Sequence, residues 1–365
     1  MKIAYDAKRF FNNASGLGNY SRDLIRILSK YFPENKYLLF NNNKSERGSE
    51  ILKYSSTEFI EISKGKFSRQ LLMGKDAQKQ NADIFHGLSG ELPLRWDNTP
   101  IKKVVTIHDL IFIRYPKYYS FFDRKIHLWK FKKAAISSDN IIAISEQTKN
   151  DIVEFLKVPE SKIKVIYQGC HQSFKENQSE DFILETKSKF NLPKRFILNV
   201  GTIEERKNLL NIVKAIKDSE IPLVVVGKKT KYFKKIETFI NRNKMHQQIL
   251  FLENVSMKEL AAIYKSADIF VYPSLFEGFG IPIIEALFSK TIVITSNSSS
   301  LPEAGGKDSV YIDPKNYLDI QAKINFLWEN ESERKRRADK GFEYVQRFND
   351  ETIANEHNNF YKNIL

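Results

Sequence analysis

The stretch ADIFVYPSLFEGFGIPIIEALF, residues 267–288, decides how the rest of the chain reads. ADIFVYP is a β-branched and aromatic run that predicts a strand ending at Pro273. Glu277 follows in the loop. Gly278 and Gly280 flank Phe279 there and permit positive φ and close approach of the backbone to a ligand. Ile281-Pro282 predicts the start of a helix, because proline suits the first helical positions. Glu285 then falls about one turn inside that helix. Free amides at such a helix start suit a phosphate group. The two carboxylates, eight positions apart, suit hydroxyl groups on either side of it. A sugar nucleotide carries that chemistry: sugar hydroxyls, a diphosphate, then ribose hydroxyls. The plainer alternative is a glycine-rich turn with a capping glutamate.

The same alternation of strand and helix runs through the whole chain. In the first half KIAYDA (2–7), YLLF (37–40), DIFH (83–86), KKVVTIH (102–108) and NIIAIS (140–145) predict buried strands. In the second half RFILNVG (195–201), PLVVVG (222–227), ILFL (249–252), ADIFVYP and TIVITS (291–296) do the same. Amphipathic stretches such as NYSRDLIRILSKYF, NLLNIVKAI and MKELAAIYKSA fall between them. Alternation of this kind implies parallel sheets joined by right-handed crossovers. The fold class is therefore α/β, with two doubly wound domains and a site expected at the carboxyl ends of the strands. The expected division is 1–170, a polar linker region 171–194, a second domain 195–345 and a C-terminal helix 346–365 that packs back on the first domain.

Length agrees, since 365 residues exceed one ordinary core. Apolar residues are 42% and charged residues 28%, which excludes disorder, collagen and coiled coil as whole-chain descriptions. The single cysteine, Cys170, excludes an intramolecular disulfide framework. No apolar run reaches the roughly 18 residues that span a bilayer. Asp6, Lys8 and Arg9 stand where a signal peptide needs its apolar stretch. A soluble, cytoplasmic protein is expected. The net charge of +14 is uneven: residues 1–170 hold 29 basic and 18 acidic side chains, +11, against +3 for the remainder. The first half is thus expected to meet something anionic, unless the excess serves only solubility.

Glu277 and Glu285 after a strand, with Gly278-Phe279-Gly280 between them, resemble the signature of the large retaining glycosyltransferase group called family 4, or group 1. Further matches extend the resemblance along nearly the whole chain. It implies the GT-B fold, two Rossmann-like domains facing each other across a cleft. It implies that Glu277 holds the hydroxyls of the transferred sugar and Glu285 those of the ribose. In NVGTIEERKN (199–208) the resemblance gives Arg206 and Lys207 the grip on the donor diphosphate. Two fixed cations there would neutralise a leaving diphosphate without metal. Neither an Asp-x-Asp motif nor a His/Cys cluster suggests a metal site, so metal-independent transfer with no cofactor is expected.

In the first half, Ala14-Ser15-Gly16-Leu17-Gly18-Asn19 is expected as a loop between strand one and helix one. It resembles the glycine loop that closes over donor phosphate and acceptor, with Gly16 and Gly18 as donor contacts. His108 and Asp109 end a predicted strand where the family commonly has a histidine near the reacting sugar. Ser145-Glu146 predicts a helix N-cap with an acidic first turn, and the resemblance adds an acceptor contact at Ser145. In TSNSSSLPEAGG (295–306), Ser300 and Leu301 are placed to offer backbone amides to the donor, and Glu303 reads as a helix-start glutamate. One departure is Ser289-Lys290-Thr291-Ile292, where similar enzymes carry Cys-Gly or Ser-Gly followed by proline. It removes a C-cap glycine.

The stretch 114–133 has seven Lys/Arg against one Asp, interleaved with seven aromatics. This fits a helix resting on an anionic membrane face through Phe121, Phe122 and Trp129; plain core packing with solvated lysines is the simpler reading, since amphipathic helices are common. Nucleic acid is not expected, since no DNA or RNA module signature is present. The resulting reading is a hexosyltransferase taking a nucleotide-diphosphate sugar, GDP-mannose by resemblance, to a glycan or lipid-linked acceptor in surface-polysaccharide assembly. The alternatives are a nucleotide-sugar epimerase or isomerase, or a non-catalytic sugar-nucleotide-binding protein of the same fold.

Overall fold

The computed structural model describes residues 1–14, 16–63, 65, 67–96 and 99–365. Ser15, in the expected glycine loop, lies outside the described residues. The chain forms two compact units, Met1–Gly169 with Phe348–Leu365, and Cys170–Arg347.

The first unit is built on seven parallel strands: β1 (Lys2–Asp6), β2 (Lys36–Asn41), β3 (Thr57–Glu61), β4 (Ile84–Gly87), β5 (Lys102–Ile107), β6 (Asn140–Ala143) and β7 (Ile163–Val165). Their order is β3-β2-β1-β4-β5-β6-β7. Successive side chains on a strand point to opposite faces, and both faces of this sheet are covered. Ile3, Tyr5, Tyr37, Leu39, Ile84, Val104 and Ile142 lie in one core, while Ala4, Leu38, Phe40, Phe85, Val105 and Ile141 lie in the other. That double burial is why these strands read as unbroken apolar runs.

The helix Asp350–Ile364 completes the first of these cores with Ile353, Ala354, Phe360 and Tyr361. A buried polar chain fixes its register. The Tyr361 hydroxyl lies 3.2 Å from that of Tyr5 and 2.7 Å from His86 Nδ1, and His86 Nε2 lies 2.7 Å from Thr106 Oγ1. Arg26 adds an ion pair to Asp350 at 2.8 Å. Buried polar groups that all find partners specify one packing arrangement more sharply than apolar contacts do.

The second unit has six parallel strands: β8 (Ile197–Val200), β9 (Leu223–Val226), β10 (Ile249–Leu252), β11 (Ile269–Tyr272), β12 (Ile292–Ser296) and β13 (Val310–Ile312). Their order, β10-β9-β8-β11-β12-β13, is the doubly wound arrangement. In register, Ile269 on β11 faces Ile197 of β8 on one side and Ile292 of β12 on the other.

Three strands were not expected from the sequence: β3, β7 and β13. All three are sheet edges. β3 reads Thr-Glu-Phe-Ile-Glu, and β7 and β13 are three residues each. Short or charged edge strands give no apolar run to detect. The polar stretch expected as a linker holds a helix, Glu180–Lys189, capped by Ser179. The glycine segment also differs from expectation. A short helix Lys8–Asn12 follows β1, and Gly16 and Gly18 belong to the first turn of helix Gly16–Tyr31 rather than to a loop.

Candidate active site

In the second unit the strand order reverses between β8 and β11, so the loops leaving these two neighbours diverge and open a crevice at their carboxyl ends. The loop after β8 carries Arg206 and Lys207, and the loop after β11 carries Glu277. Backbone and side-chain bonds stitch the two loops together. Leu275 N–H donates to the Arg206 carbonyl at 2.9 Å, and Ser274 Oγ lies 3.2 Å from the same oxygen. Asn208 sits in the left-handed region at φ 61°, a conformation asparagine tolerates. Its Nδ2 donates to the Pro273 and Pro314 carbonyls at 3.1 and 2.7 Å.

These constraints bring Glu277, Arg206 and Lys207 into one cluster. Glu277 Oε2 meets Arg206 Nη1 at 2.7 Å, and Oε1 meets Lys207 Nζ at 2.8 Å. Oε1 also accepts from the Tyr272 hydroxyl at 2.8 Å and from Ser274 Oγ at 2.7 Å. Lys207 Nζ donates to the Tyr272 hydroxyl as well. Arg206 Nη2 pairs with Glu204 at 2.6 Å, and Nη1 donates to the Phe276 carbonyl as well. Burial alone would raise the Glu277 pKa, but Lys207 and Arg206 outweigh it and hold it at about 2. The carboxylate is ionised, buried and charge-paired. The two cations expected to grip a diphosphate are partnered by Glu277.

Glu285 is the opposite case. It lies on helix Ile281–Phe288, buried, with the Tyr264 hydroxyl donating to Oε2 at 3.1 Å. Burial pushes its pKa up to about 7, against the opposing pull of Tyr264 and Lys207. Near neutral pH it therefore carries both protonation states in comparable amounts.

Of the two glycines that permit positive φ, Gly280 uses it, at 132°, and Gly278 does not. A Cβ at Gly280 would press on Ala304 at 3.2 Å and Leu301 at 3.3 Å, so glycine is required on both counts. Ser300 and Leu301 serve the loop rather than standing free. Ser300 Oγ reaches the Glu277 and Phe279 carbonyls at 2.9 and 2.8 Å, and Leu301 N–H donates to Ser298 at 3.3 Å. Ser299 Oγ donates to the Glu277 carbonyl at 2.6 Å. Glu303 lies in the first turn of helix Leu301–Gly305.

In the first unit His108 follows β5. Its Nε2–H donates to the Leu88 carbonyl at 2.9 Å, which leaves Nδ1 as the acceptor of the neutral ring. Burial lowers its pKa to about 4. Tyr20 packs edge-on against the ring at 4.6 Å. Ser145 caps helix Glu146–Asp151 by accepting from Thr148 N–H at 3.0 Å, and Thr148 Oγ1 donates to the His108 carbonyl at 3.1 Å. Asp109 accepts from Ile111 N–H at 3.0 Å. Gly18 is sterically obligatory: a Cβ there would lie 2.0 Å from the Asn13 carbonyl oxygen, while Gly16 faces open space.

Sequence reasoning missed Tyr272, Ser274, Asn208, Ser299 and Tyr264. Tyr272 and Ser274 were accessible in principle, as polar residues with the strand period of two at the carboxyl end of β11. Asn208 adjoins Lys207 as the start of the next helix, Leu209–Ala215, without a pattern that marks its bonds to Pro273 and Pro314, while Ser299 and Tyr264 reach the site from other elements.

Residues 57–173 match the family described as Glycosyltransferase Family 4, and residues 181–344 match that described as Glycosyl transferases group 1. The chain belongs to the group 1 glycosyltransferases and is an enzyme of that class. It is 24% identical to O-antigen chain mannosyltransferase B of Escherichia coli, over 99% of this chain and 100% of that one. It is 30% identical to O-antigen chain mannosyltransferase RfbU of Salmonella typhimurium, over 61% of this chain and 60% of the relative. Among solved structures, Anabaena Alr3699/HepE in complex with UDP and glucose superposes with a TM-score of 0.78 at 16% identity, covering 100% of both chains. The fold is GT-B.

Proposed function

We propose that this glycosyltransferase moves mannose from GDP-mannose to a hydroxyl of a glycan or lipid-linked acceptor, with retention at the anomeric carbon and without metal, in surface-polysaccharide assembly. The observation that carries it is the Glu277 carboxylate bound by Arg206 and Lys207 at the sheet's switch point. The names of the O-antigen mannosyltransferases above support the sugar and the process.

In this reading the site works by charge already in place. As the glycosidic bond loosens, negative charge gathers on the departing phosphate and positive charge on the anomeric carbon. Arg206 and Lys207 stabilise the first, and Glu277 the second. Glu277 keeps both cations oriented before the donor arrives, so their reorganisation does not fall on the reaction. Its Oε2 accepts Arg206 alone among the described residues and retains a lone-pair direction for a sugar hydroxyl. Glu285 receives the ribose hydroxyls. His108, neutral, accepts a hydrogen bond from the sugar or acceptor side through Nδ1. Retention follows from attack of the acceptor hydroxyl on the face the phosphate leaves, with that phosphate taking the proton.

The test is a thermal-shift panel of GDP, UDP and ADP with their sugar conjugates, with and without EDTA, followed by product analysis of the transferred sugar. A nucleotide at 100 times its Kd adds about 2.7 kcal/mol of stability. Stabilisation by GDP alone, unchanged by EDTA, with an α-linked product, is the expected result. Stabilisation by UDP alone overturns the donor assignment, and loss of transfer in EDTA overturns metal independence.

A further inference from the structure

The helix Phe121–Ser137 has two apolar faces. One is conventional: Leu128, Phe131, Ala134 and Ala135 pack into the first unit's core. The other points outward. Phe122, Ile126, Trp129 and Ile136 recur at spacings of four, three and seven, which places them on a single stripe. They are 77, 52, 55 and 63% exposed, and Phe121 beside them is 60% exposed. Plain core packing, the simpler expectation for this stretch, therefore accounts for half of the helix only.

Cations accompany the stripe. Lys125, Lys132 and Lys133 are exposed on or beside it and have no carboxylate partner among the described residues, whereas Lys130 is paired with Glu91 at 3.3 Å. The helix's single acid, Asp123, is occupied at the N-cap by Ser120. From Phe122 to Ile136 the stripe runs for about 21 Å at 1.5 Å per residue. No helix among the described residues is long and apolar enough to cross a membrane.

We propose that helix 121–137 is a membrane-docking element that lies flat on an anionic lipid bilayer, its aromatic and aliphatic stripe in the headgroup boundary and its lysines on the lipid phosphates. Tryptophan and phenylalanine beside lysine suit that boundary, where apolar rings insert and long cationic side chains reach back to the charged surface. A second copy of this chain fits less well. A two-fold interface sets the same patch against itself, which would bring the Lys125, Lys132 and Lys133 cations of two copies together. The inference deepens the acceptor side of the proposed function and rests on it for its purpose: docking would hold the enzyme where lipid-linked acceptors are.

The test is co-sedimentation of the full chain with phosphatidylcholine vesicles, with and without about a third phosphatidylglycerol, read together with tryptophan emission. Binding to the anionic vesicles is expected, with a blue shift that Trp129→Phe abolishes. Trp96 packs against Phe85 and Trp328 against the second unit's core, so neither supplies that shift. Raising salt from about 0.1 to 0.5 M, which shortens the Debye length, should weaken binding at least tenfold. So should the exposed-residue variant Phe122→Ser/Ile126→Ser/Trp129→Ser, with melting temperature and GDP affinity unchanged. Equal binding to neutral vesicles, no binding to either, or a concentration-dependent dimer abolished by the triple variant would each overturn the proposal. A chain that docks on vesicles yet binds no nucleotide would instead refute the donor reading.

Discussion

Glu277 and Glu285 are eight residues apart, both buried, and titrate on opposite sides of an ordinary glutamate. Glu277 stands in a loop that converges with a second loop bearing two cations, and its pKa falls from 4.5 to about 2. Glu285 stands inside a helix with one tyrosine hydroxyl for company, and burial lifts its pKa from 4.5 to about 7. Burial is common to both; the difference is whether compensating charge arrives from another part of the chain. A buried carboxylate supplied with cations becomes a permanent charge, and one without them becomes a group that exchanges protons near neutrality.

The sharpest way to break the contrast is Glu277→Gln. It leaves Arg206 and Lys207 buried with less compensation, and breaking such a pair costs about 3–5 kcal/mol. Turnover should fall on the order of 100- to 1000-fold, more than donor affinity does. Initial rates at saturating donor and urea unfolding measure both, and wild-type turnover would remove Glu277 from the reaction.

Stability against pH then separates the two carboxylates. Glu277 contributes stability that is complete above 4.5, its unfolded value, and is lost as pH falls through about 2. Glu285 does the reverse: its contribution is complete below 4.5 and is lost as pH rises through about 7. Each shift corresponds to about 3 kcal/mol. Unfolding followed from pH 2 to 8 should therefore lose its acid arm in Glu277→Gln and its neutral arm in Glu285→Gln. A neutral arm unchanged in the latter would mean that Glu285 titrates normally.

Smaller effects refine the picture. Lys207→Ala should raise the donor nucleotide Kd by about 1.5–3 kcal/mol through loss of a charge-assisted bond, measured by calorimetry. An unchanged Kd would leave Lys207 as Glu277's partner only. The smallest expected change lies just past the Glu285 helix. Lys290 occupies its left-handed C-terminal position at φ 56°, where Lys290 and Thr291 N–H close back on Leu287 and Ala286. Lys290→Gly should stabilise the chain by about 1 kcal/mol with no effect on rate, read as a rise in melting temperature.

Much of this molecule was visible in local pattern. The ten strands expected were those with buried apolar runs, and the strand-loop-helix unit around Glu277 was readable because Pro273, Gly280 and Pro282 punctuate it. The edge strands β3, β7 and β13 were hidden by their shortness or charge. The glycines at 16 and 18 were misplaced for a different reason. Gly18 is required by the close approach of the Asn13 carbonyl to a helix, a contact that glycine content alone does not distinguish from a turn.

Residue types and their spacing were enough to determine the α/β class and the two-sheet organisation, and they singled out Glu277 and Glu285, whereas Arg206 and Lys207 stood out through the family resemblance. The first of these follow from periods of two and 3.6 residues and from groups next to one another in sequence. Folding alone determined that Glu277 spends its charge on Arg206 and Lys207 some 70 positions earlier, that Tyr272 and Ser274 complete its shell, and that Glu285 has no ion pair among the described residues. It also turned one apolar face of helix 121–137 into the core and left the other in solvent. Ionisation and exposure depend on what the rest of the chain brings to a side chain, and that is a property of strand order rather than of neighbours in sequence.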